Sequence, residues 1–161
     1  MSNMRSASIH PRTLGYLGRA LSLEYSAVQQ YMTQAGLADA WGLKDAADRF
    51  RREVVEELQH AERLVKRMLG LGVAPNASQL RPAGVARNLV DLLLQDQALE
   101  AEIVGLYYEA TEFCRRIGDV ENAAFFEGLL REEQHHAGEI DAWLESLGLA
   151  PDGGRDDRAY F

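Results

Sequence analysis

The sequence predicts an all-α protein, a four-helix bundle with one long crossover between the second and third helices. Three observations support this prediction. Apolar side chains recur at helical spacing through four long stretches. Short connections join the first stretch to the second and the third to the fourth, so each pair should be antiparallel. A Gly- and Pro-containing segment of about 15 residues separates the two halves and is long enough to travel the length of a bundle.

We expect the four helices to span residues 11–40, 43–71, 85–117 and 120–147. The short connections contain "WGLK" and "IGDV", and the crossover is "GLGVAPNASQLRPAG". Gly148 and Pro151 are typical of the residues that follow a helix C-terminus. The predicted organisation is therefore an N-terminal extension (residues 1–10), a bundle (residues 11–148) and a polar C-terminal tail (residues 149–161).

Composition favours a globular protein that binds neither nucleic acid nor membrane. The 161 residues are 47% apolar and carry a formal net charge of -8, whereas phosphate binding needs clustered Lys and Arg. Cys114 is the only cysteine, which excludes an intrachain disulfide and a four-cysteine metal site. The first residues lack a signal-peptide core, and no stretch approaches the roughly 20 apolar residues of a membrane span. We therefore expect a cytoplasmic protein.

Each predicted helix carries one acidic residue among the apolar residues of its buried face. The four acids are Glu24, Glu57, Glu100 and Glu132. They lie at similar distances from the short connections, so antiparallel pairing should bring them together near the middle of the bundle. An isolated carboxylate in a core costs several kcal/mol. Four such residues therefore need compensation, which metal cations would supply.

Two of these acids are followed by a histidine at helical spacing. Glu57 and His60 are three residues apart, as are Glu132 and His135, so each pair shares one face of its helix. One Glu from each of two helices, with Glu-x-x-His from each of the other two, is typical of di-iron carboxylate bundles. These ligands suit two Fe(II) or Mn(II) ions, and Zn(II) could occupy them. His136 would exchange with His135 if the helix were shifted by one residue, but the repeated spacing favours His135.

Among the neighbouring residues, Tyr31 lies two turns from Glu24 on the same face. It is either a packed core residue or a donor of a hydrogen bond or an electron to the metals. Tyr107 and Trp143 are expected core residues. Within the ligand set, Glu57 and Glu132 are the expected bridging ligands, because each lies on the same helix face as a histidine, and the other two glutamates are the expected terminal ligands.

With these residues in place, residues 14–147 resemble the bacterioferritin family. The stretches that carry the resemblance are "LGRALSLEYSAVQQY", "WGLK", "EELQHAERLVKRML", "DQALEAE" and "LREEQHHAGEI". The resemblance implies oxidation of Fe(II) by O2 or H2O2, storage of ferric mineral, and a 24-subunit shell built from twofold dimers. It also implies that Tyr31 matches a tyrosine close to the ferroxidase site, whose ligands would be Glu24, Glu57, His60, Glu100, Glu132 and His135.

Three positions depart from the pattern of that family. Leu58 stands where the family has the methionine that ligates haem, so we expect no haem unless a partner chain supplies the ligand. Arg52 replaces an inner-surface histidine, although Glu53 and Glu56 could still guide iron inward. The family's fifth helix is not recognisable in "GLAPDGGRDDRAYF", because Pro and paired Gly disfavour a helix.

Two other interpretations of the residues stay open. The same scaffold could serve a non-storage di-iron oxidase or oxygenase that works as a small oligomer. A rubrerythrin-like version of such an enzyme would need a cysteine cluster, which Cys114 alone does not supply. The third interpretation is a metal-free helical interaction module, which would bind no iron.

Overall fold

The computed structural model describes residues 8–77 and 79–148 and confirms the all-α prediction. Its helices are α1 (Pro11–Ala40), α2 (Lys44–Gly70), α3 (Leu89–Arg116) and α4 (Val120–Ser146), and the described residues form no strand. The expected tail falls outside these residues, as do the first seven residues of the expected extension. None of the described helices is long and apolar enough to cross a membrane.

The helices form two antiparallel pairs, α1 with α2 and α3 with α4, and α1 also packs on α3. The α1–α3 contact is itself antiparallel. At one end Arg12 forms an ion pair with Glu109 at 2.9 Å, and toward the other end Gln30 donates a hydrogen bond to Asp96 at 2.6 Å. The long crossover between α2 and α3 produces this arrangement, because it carries the chain back along the length of the bundle to the end where α1 finishes, and α3 begins there.

Local sequence fixes where the helices begin and end. Gly42 and Gly118 follow α1 and α3 with φ of 77° and 73°, a left-handed conformation that glycine adopts without steric cost. Asn88 caps α3, since its side-chain oxygen accepts a hydrogen bond from the Asp91 backbone N–H at 2.8 Å. The prediction that this helix begins at residue 85 is therefore wrong by four residues, and α3 begins at Leu89.

The two helix pairs repeat one another with a spacing of 76 residues. The turn glycines Gly42 and Gly118 have this spacing, and so do buried residues of the bundle interior. The matched buried pairs are Leu17 and Leu93, Glu24 and Glu100, Tyr31 and Tyr107, Phe50 and Phe126, Glu57 and Glu133, and His60 and His136. Each half therefore supplies an equivalent set of side chains to the middle of the bundle.

Candidate metal centre

Six ionisable side chains, contributed by all four helices, meet in the buried middle of the bundle. The carboxyl groups of this cluster are fully buried and the imidazoles are nearly so. The cluster consists of Glu24 from α1, Glu57 and His60 from α2, Glu100 from α3, and Glu133 and His136 from α4. Because the equivalent helices α1 and α3 run antiparallel, the two halves bring equivalent sets of side chains to the same level along the bundle.

Both histidines present Nδ1 to the carboxylates. Nδ1 of His60 lies 2.6 Å from Glu133 Oε1 and 3.2 Å from Glu57 Oε2. Nδ1 of His136 lies 3.1 Å from Glu57 Oε1 and 3.6 Å from Glu133 Oε2. Glu57 and Glu133 therefore each lie between the two imidazoles, with one oxygen toward each.

The cluster divides into two groups that could each hold a metal ion. One group is Glu24, Glu57, His60 and Glu133, and the other is Glu57, Glu100, Glu133 and His136. In each group one ligand atom per residue can be chosen so that all lie within 4.8 Å of one another. Glu57 and Glu133 belong to both groups, the arrangement expected of two bridging carboxylates with one terminal carboxylate and one imidazole per metal.

Two buried tyrosines hold the remaining carboxyl groups across the bundle. Tyr31 of α1 donates a hydrogen bond to Glu100 Oε1 at 2.6 Å, and Tyr107 of α3 donates one to Glu24 Oε1 at 2.5 Å. The second oxygens of Glu24 and Glu100 are buried without a hydrogen-bond partner. Since such groups are costly to leave unpaired, a cation is a fitting partner for both oxygens.

The carboxyl groups separate into two kinds by their pKa. Burial raises the pKa of Glu24 and Glu100 well above the ordinary value, and neighbouring carboxylates raise it further. Burial would also raise the pKa of Glu57 and Glu133, but hydrogen bonds from the two histidines outweigh it and hold both values below the ordinary one. Without metal, the cluster therefore favours the neutral form of Glu24 and Glu100 and the ionised form of Glu57 and Glu133.

The histidines balance these two ionised groups. Burial alone would lower the pKa of each imidazole, but hydrogen bonds to Glu133 and Glu57 outweigh it. The pKa of His136 rises to about 12, and that of His60 rises further above its ordinary value. The imidazolium form of both histidines is therefore favoured, and these positive charges offset the negative charges of the two ionised carboxylates.

The structure does not place Glu132 and His135 in this cluster, and their expected position there is wrong by one residue. The His135 side chain is 75% exposed, and its Nε2 lies 3.2 Å from Glu139 on the same helix. The Glu132 side chain is 49% exposed and forms an ion pair with Arg63. Glu133 and His136 occupy the interior instead, in the same Glu-x-x-His spacing.

The one-residue error has a geometric cause. At about 100° per residue, Glu132 and Glu133 each point about 50° from the direction midway between Leu129 and His136. A stripe through those two residues therefore cannot distinguish the two acids. Phe126 and Ile140, both buried, lie toward the side of Glu133 and resolve the tie.

The 76-residue repeat is a stronger signal than the apolar stripe, and the prediction of Glu132 and His135 did not use it. The residue 76 positions after Glu57 is Glu133, and the residue 76 positions after His60 is His136. The repeat also matches Tyr31 with Tyr107, a residue expected only to fill the core. The pairs of carboxyl and phenol groups therefore form one symmetric unit.

The surroundings of the cluster break this symmetry at one end. Next to Glu100 on α3, Asp96 is fully buried, and its Oδ1 accepts hydrogen bonds from Gln30 and Gln34 at 2.6 and 2.7 Å. Its Oδ2 has no hydrogen-bond partner. Nearby Glu53 lies 3.9 Å from Nδ1 of His136. Burial raises the pKa of both carboxyl groups to about 7.

The repeat places apolar residues at the other end of the cluster. Ala20 corresponds to Asp96 and Leu129 corresponds to Glu53, and both apolar residues are buried. The core is therefore polar beyond Glu100 and His136 and apolar beyond Glu24 and His60.

Comparison with known proteins agrees with this architecture. The family model for the ferritin-like domain matches residues 14–150. Bacterioferritin of Rhodobacter capsulatus is 33% identical over 125 residues, covering 78% of each chain, and that of Brucella melitensis biotype 1 is 31% identical over 137 residues, covering 85% of each. A solved structure of the R. capsulatus protein, described as having a metal-free dinuclear site and a haem iron, matches with a TM-score of 0.83 and 30% identity over 91% of this chain and 92% of that chain.

The buried Asp96 carboxyl group predicts a specific dependence of stability on pH. Its folded pKa of about 7 exceeds the ordinary value of 3.8, so the folded state keeps a proton that the unfolded state loses between these values. The free energy of unfolding therefore falls as pH rises through this window. Asp96→Asn should therefore raise the Tm of the metal-free protein at pH 8. The free energy of unfolding should increase by an amount on the order of 3 kcal/mol at this pH, and the increase should disappear toward pH 4.

Thermal denaturation at pH 4.5, 6 and 8 measures this gain. Asp48→Asn is the matched control, because the Asp48 side chain is 62% exposed and pairs with Arg51 at the surface. A gain for Asp96→Asn that does not grow between pH 4.5 and pH 8 would contradict the prediction.

Proposed function

This chain belongs to the ferritin-like family and, within it, to the bacterioferritins, and from that premise we propose that it is a ferroxidase. It oxidises Fe(II) at a two-iron centre for iron storage or detoxification. The observation that carries the proposal is the pair of ligand groups that share Glu57 and Glu133 in a fully buried site. The carboxylate and imidazole donors suit iron in both the +2 and +3 states.

Charge balance supports two divalent ions as the cargo of the site. With all four carboxyl groups ionised and both histidines neutral, the ligands carry four negative charges, which two Fe(II) ions match. Without metal, proton binding is favoured at Glu24, Glu100, His60 and His136, since the pKa of each of these groups is raised. Binding of two Fe(II) should therefore release protons from the cluster.

In the proposed reaction each Fe(II) gives up one electron. The two electrons reduce O2 and two protons to H2O2, or reduce H2O2 and two protons to two water molecules. Glu57 and Glu133 hold the two ions side by side, while Glu24 and Glu100 complete one ion each. Tyr31 acts through its hydrogen bond to Glu100, which fixes the orientation of that terminal carboxylate.

Access to the site is provided by a surface cavity of about 470 Å³ between α2 and α4. Both cluster histidines form part of its wall, together with Glu56 and Glu132. Arg63 and Arg131 also line this cavity, and Arg63 pairs with Glu132, so in the proposal Glu56 is the carboxylate of the opening that attracts Fe(II). Glu53 and Glu56 also form a group with His136 that lies close enough to hold a cation on its way through.

An anaerobic Fe(II) titration tests the proposed site. Binding should reach its end point near two equivalents per chain, with release of protons into a weakly buffered solution. His136→Ala should slow Fe(II) oxidation at least about tenfold, because it removes a ligand and one of the two imidazoles that contact Glu133 and Glu57.

His135→Ala is the matched control for this variant. It changes the adjacent histidine, whose side chain is exposed and contacts Glu139, and it should leave both the end point and the rate close to those of the parent protein. A slower rate in His135→Ala than in His136→Ala would overturn the assignment of Glu133 and His136 as ligands.

We also propose that a homogeneous preparation contains no haem. Leu58 is 46% exposed on α2 and offers no sulfur where the resemblance requires methionine. The purified protein should show no Soret absorption, and Leu58→Met should introduce one after incubation with haem. A Soret band with bis-thioether ligation in the parent protein would contradict this expectation.

The proposed assembly starts from a dimer through α1 and α2. Large apolar side chains stay exposed on these two helices, among them Met32 at 59%, Val55 at 54% and Leu58 at 46%. Exposed apolar side chains of this size favour association, and a second copy of the chain is the proposed occupant. The resemblance extends this unit to a 24-subunit shell, whose inner surface would hold the oxidised iron.

Light scattering tests the storage assembly. A shell would have a mass of about 430 kDa, since one chain has a mass of 17.9 kDa. A stable species of about 36 kDa in the presence of iron would refute storage in a shell and favour a small di-iron oxidase.

A further inference from the structure

A row of packed aromatic rings leads from the metal centre toward one end of the bundle. It begins at Tyr107, whose hydroxyl group donates the hydrogen bond to Glu24 Oε1. The ring centroids of Tyr107 and Phe126 lie 6.2 Å apart, and those of Phe126 and Tyr16 lie 6.3 Å apart. These separations are typical of aromatic side chains in contact, and all three rings are fully buried. The row therefore connects a carboxyl group of the centre to Tyr16.

The hydroxyl group of Tyr16 has both a proton acceptor and a connection to the surface. It donates a hydrogen bond to Glu109 Oε1 at 2.7 Å and accepts one from Arg12 Nε at 2.9 Å. The Glu109 side chain is 52% exposed and pairs with Arg12. A proton that leaves the buried phenol can therefore reach solvent through one carboxylate.

The acidity of an oxidised phenol makes this transfer favourable. Hydrogen bonds from Tyr16 and Arg12 hold the pKa of Glu109 below its ordinary value, so the carboxylate is a weak base. A phenol that has lost an electron is nevertheless a far stronger acid than any carboxylic acid. Loss of an electron from Tyr16 would consequently drive its proton onto Glu109.

The other half of the bundle has a different ring at the equivalent end of its row. Tyr31 and Phe50 correspond to the first two rings by the 76-residue repeat, and their centroids lie 6.3 Å apart. The next ring is Trp143, 5.3 Å from Phe50, and the guanidinium carbon of Arg49 lies 3.7 Å from its centroid. A cation so close to the ring opposes the loss of an electron from Trp143.

Cations also lie near Tyr16, but coupling to a proton acceptor reduces their effect. The guanidinium carbons of Arg12 and Arg19 lie 5.6 and 4.9 Å from the centroid of this ring. They oppose a positive charge on the ring. Because the proton of the phenol can leave with the electron, no such charge remains. Tyr16 is therefore better suited than Trp143 to give up an electron.

We propose that Tyr16 is an electron donor to the metal centre through Phe126 and Tyr107, with Glu109 as the acceptor of its proton. The inference rests on the proposed function, because it supplies an electron that the iron lacks. Reduction of H2O2 to two water molecules needs two electrons, whereas a centre that holds one Fe(II) supplies only one. The phenol supplies the second.

The O–H bond of Tyr16 breaks in this step. Its electron goes to the peroxide, and its proton goes to Glu109 and then to solvent. Two protons from solvent complete the two water molecules, and the one Fe(II) becomes Fe(III). Tyr16 is left as a neutral phenoxyl radical.

Rapid-freeze electron paramagnetic resonance tests the inference in the full-length protein. One Fe(II) per chain is bound anaerobically, and H2O2 is then added. An organic radical should appear, and it should be much weaker with two Fe(II) per chain, since two ions supply both electrons. Incorporation of ring-deuterated tyrosine should narrow the signal, because the unpaired electron of a phenoxyl radical interacts with the ring protons.

Tyr16→Phe should lose this radical, because it removes the phenol O–H and keeps a ring packed on Phe126. Phe126→Leu should slow the appearance of the radical, since it removes the ring between Tyr16 and Tyr107. Tyr108→Phe is the matched control, because Tyr108 is 60% exposed, and it should leave the radical unchanged.

A second pair of variants tests the proton acceptor. Glu109→Gln should slow the appearance of the radical, because an amide oxygen is a weaker proton acceptor than a carboxylate. Glu112→Gln is its matched control, since Glu112 lies one turn farther along α3 and pairs with Arg115 at the surface. A larger effect in Glu112→Gln than in Glu109→Gln would contradict the assigned role of Glu109.

The inference can fail while the metal site stands. A radical of unchanged yield and unchanged hyperfine pattern in Tyr16→Phe would overturn it, as would Fe(II) oxidation by H2O2 with no radical in the parent protein. Loss of the radical in Tyr31→Phe but not in Tyr16→Phe would assign it to the other half, and a signal insensitive to tyrosine deuteration would exclude a phenol. Failure of the parent protein to bind two Fe(II) in the anaerobic titration would instead refute the proposed function, and the inference with it.

Discussion

The negative charge of four buried carboxyl groups must be neutralised, and the rest of the bundle interior is organised around that requirement. Neither α1 nor α3 contributes a positive side chain to the cluster; each supplies a glutamate and the tyrosine that donates to the opposite glutamate. The positive charge comes from two imidazoles on α2 and α4. A buried carboxylate that loses its partner costs several kcal/mol, so protons and divalent cations are alternative means of meeting one requirement.

The antiparallel repeat explains how a chain of this length brings six such groups to one point. Because α1 pairs with α3 in opposite directions, a Glu-x6-Tyr spacing in both helices lets each tyrosine reach the glutamate of the other. The same logic places Glu57 and Glu133 between the two histidines. Short turns at Gly42 and Gly118 keep the helices in register, since a change in either turn would displace half of the ligands.

Most of the fold and part of the centre could be predicted from the sequence. Helical periodicity and connection lengths identified four helices and their pairing, and three of the four helices begin within a residue of the expected position. The start of α3 was misplaced because apolar spacing continues upstream of Asn88, while the cap that starts the helix depends on a single side-chain hydrogen bond. Glu24, Glu57, His60 and Glu100 lie in the buried cluster because their stripes are unambiguous.

The other half of the centre could not be predicted from the stripe alone. Glu132 and Glu133 are equivalent by helical angle relative to Leu129 and His136, so the choice between them needs a further signal, either the positions of Phe126 and Ile140 or the 76-residue repeat. The outer contacts of Glu132 with Arg63 and His60 join side chains 69 and 72 residues apart, and local periodicity carries no information about such contacts. The hydrogen bonds of Asp96 with Gln30 and Gln34 also join residues far apart in sequence, with separations of 66 and 62 residues.

The unequal surroundings of the symmetric centre have a further consequence. Each metal position has the same donor set, one terminal carboxylate, one Nδ1 and two shared carboxylates. In the proposed two-iron centre, a difference in reduction potential between the two ions would therefore originate mainly outside the ligands. The position of Glu100 and His136 faces Asp96 and Glu53, whereas the position of Glu24 and His60 faces Ala20 and Leu129. Negative charge nearby stabilises the higher oxidation state, so in the proposed ferroxidase an iron ion held beside Glu100 would be the easier of the two to oxidise when Asp96 is ionised.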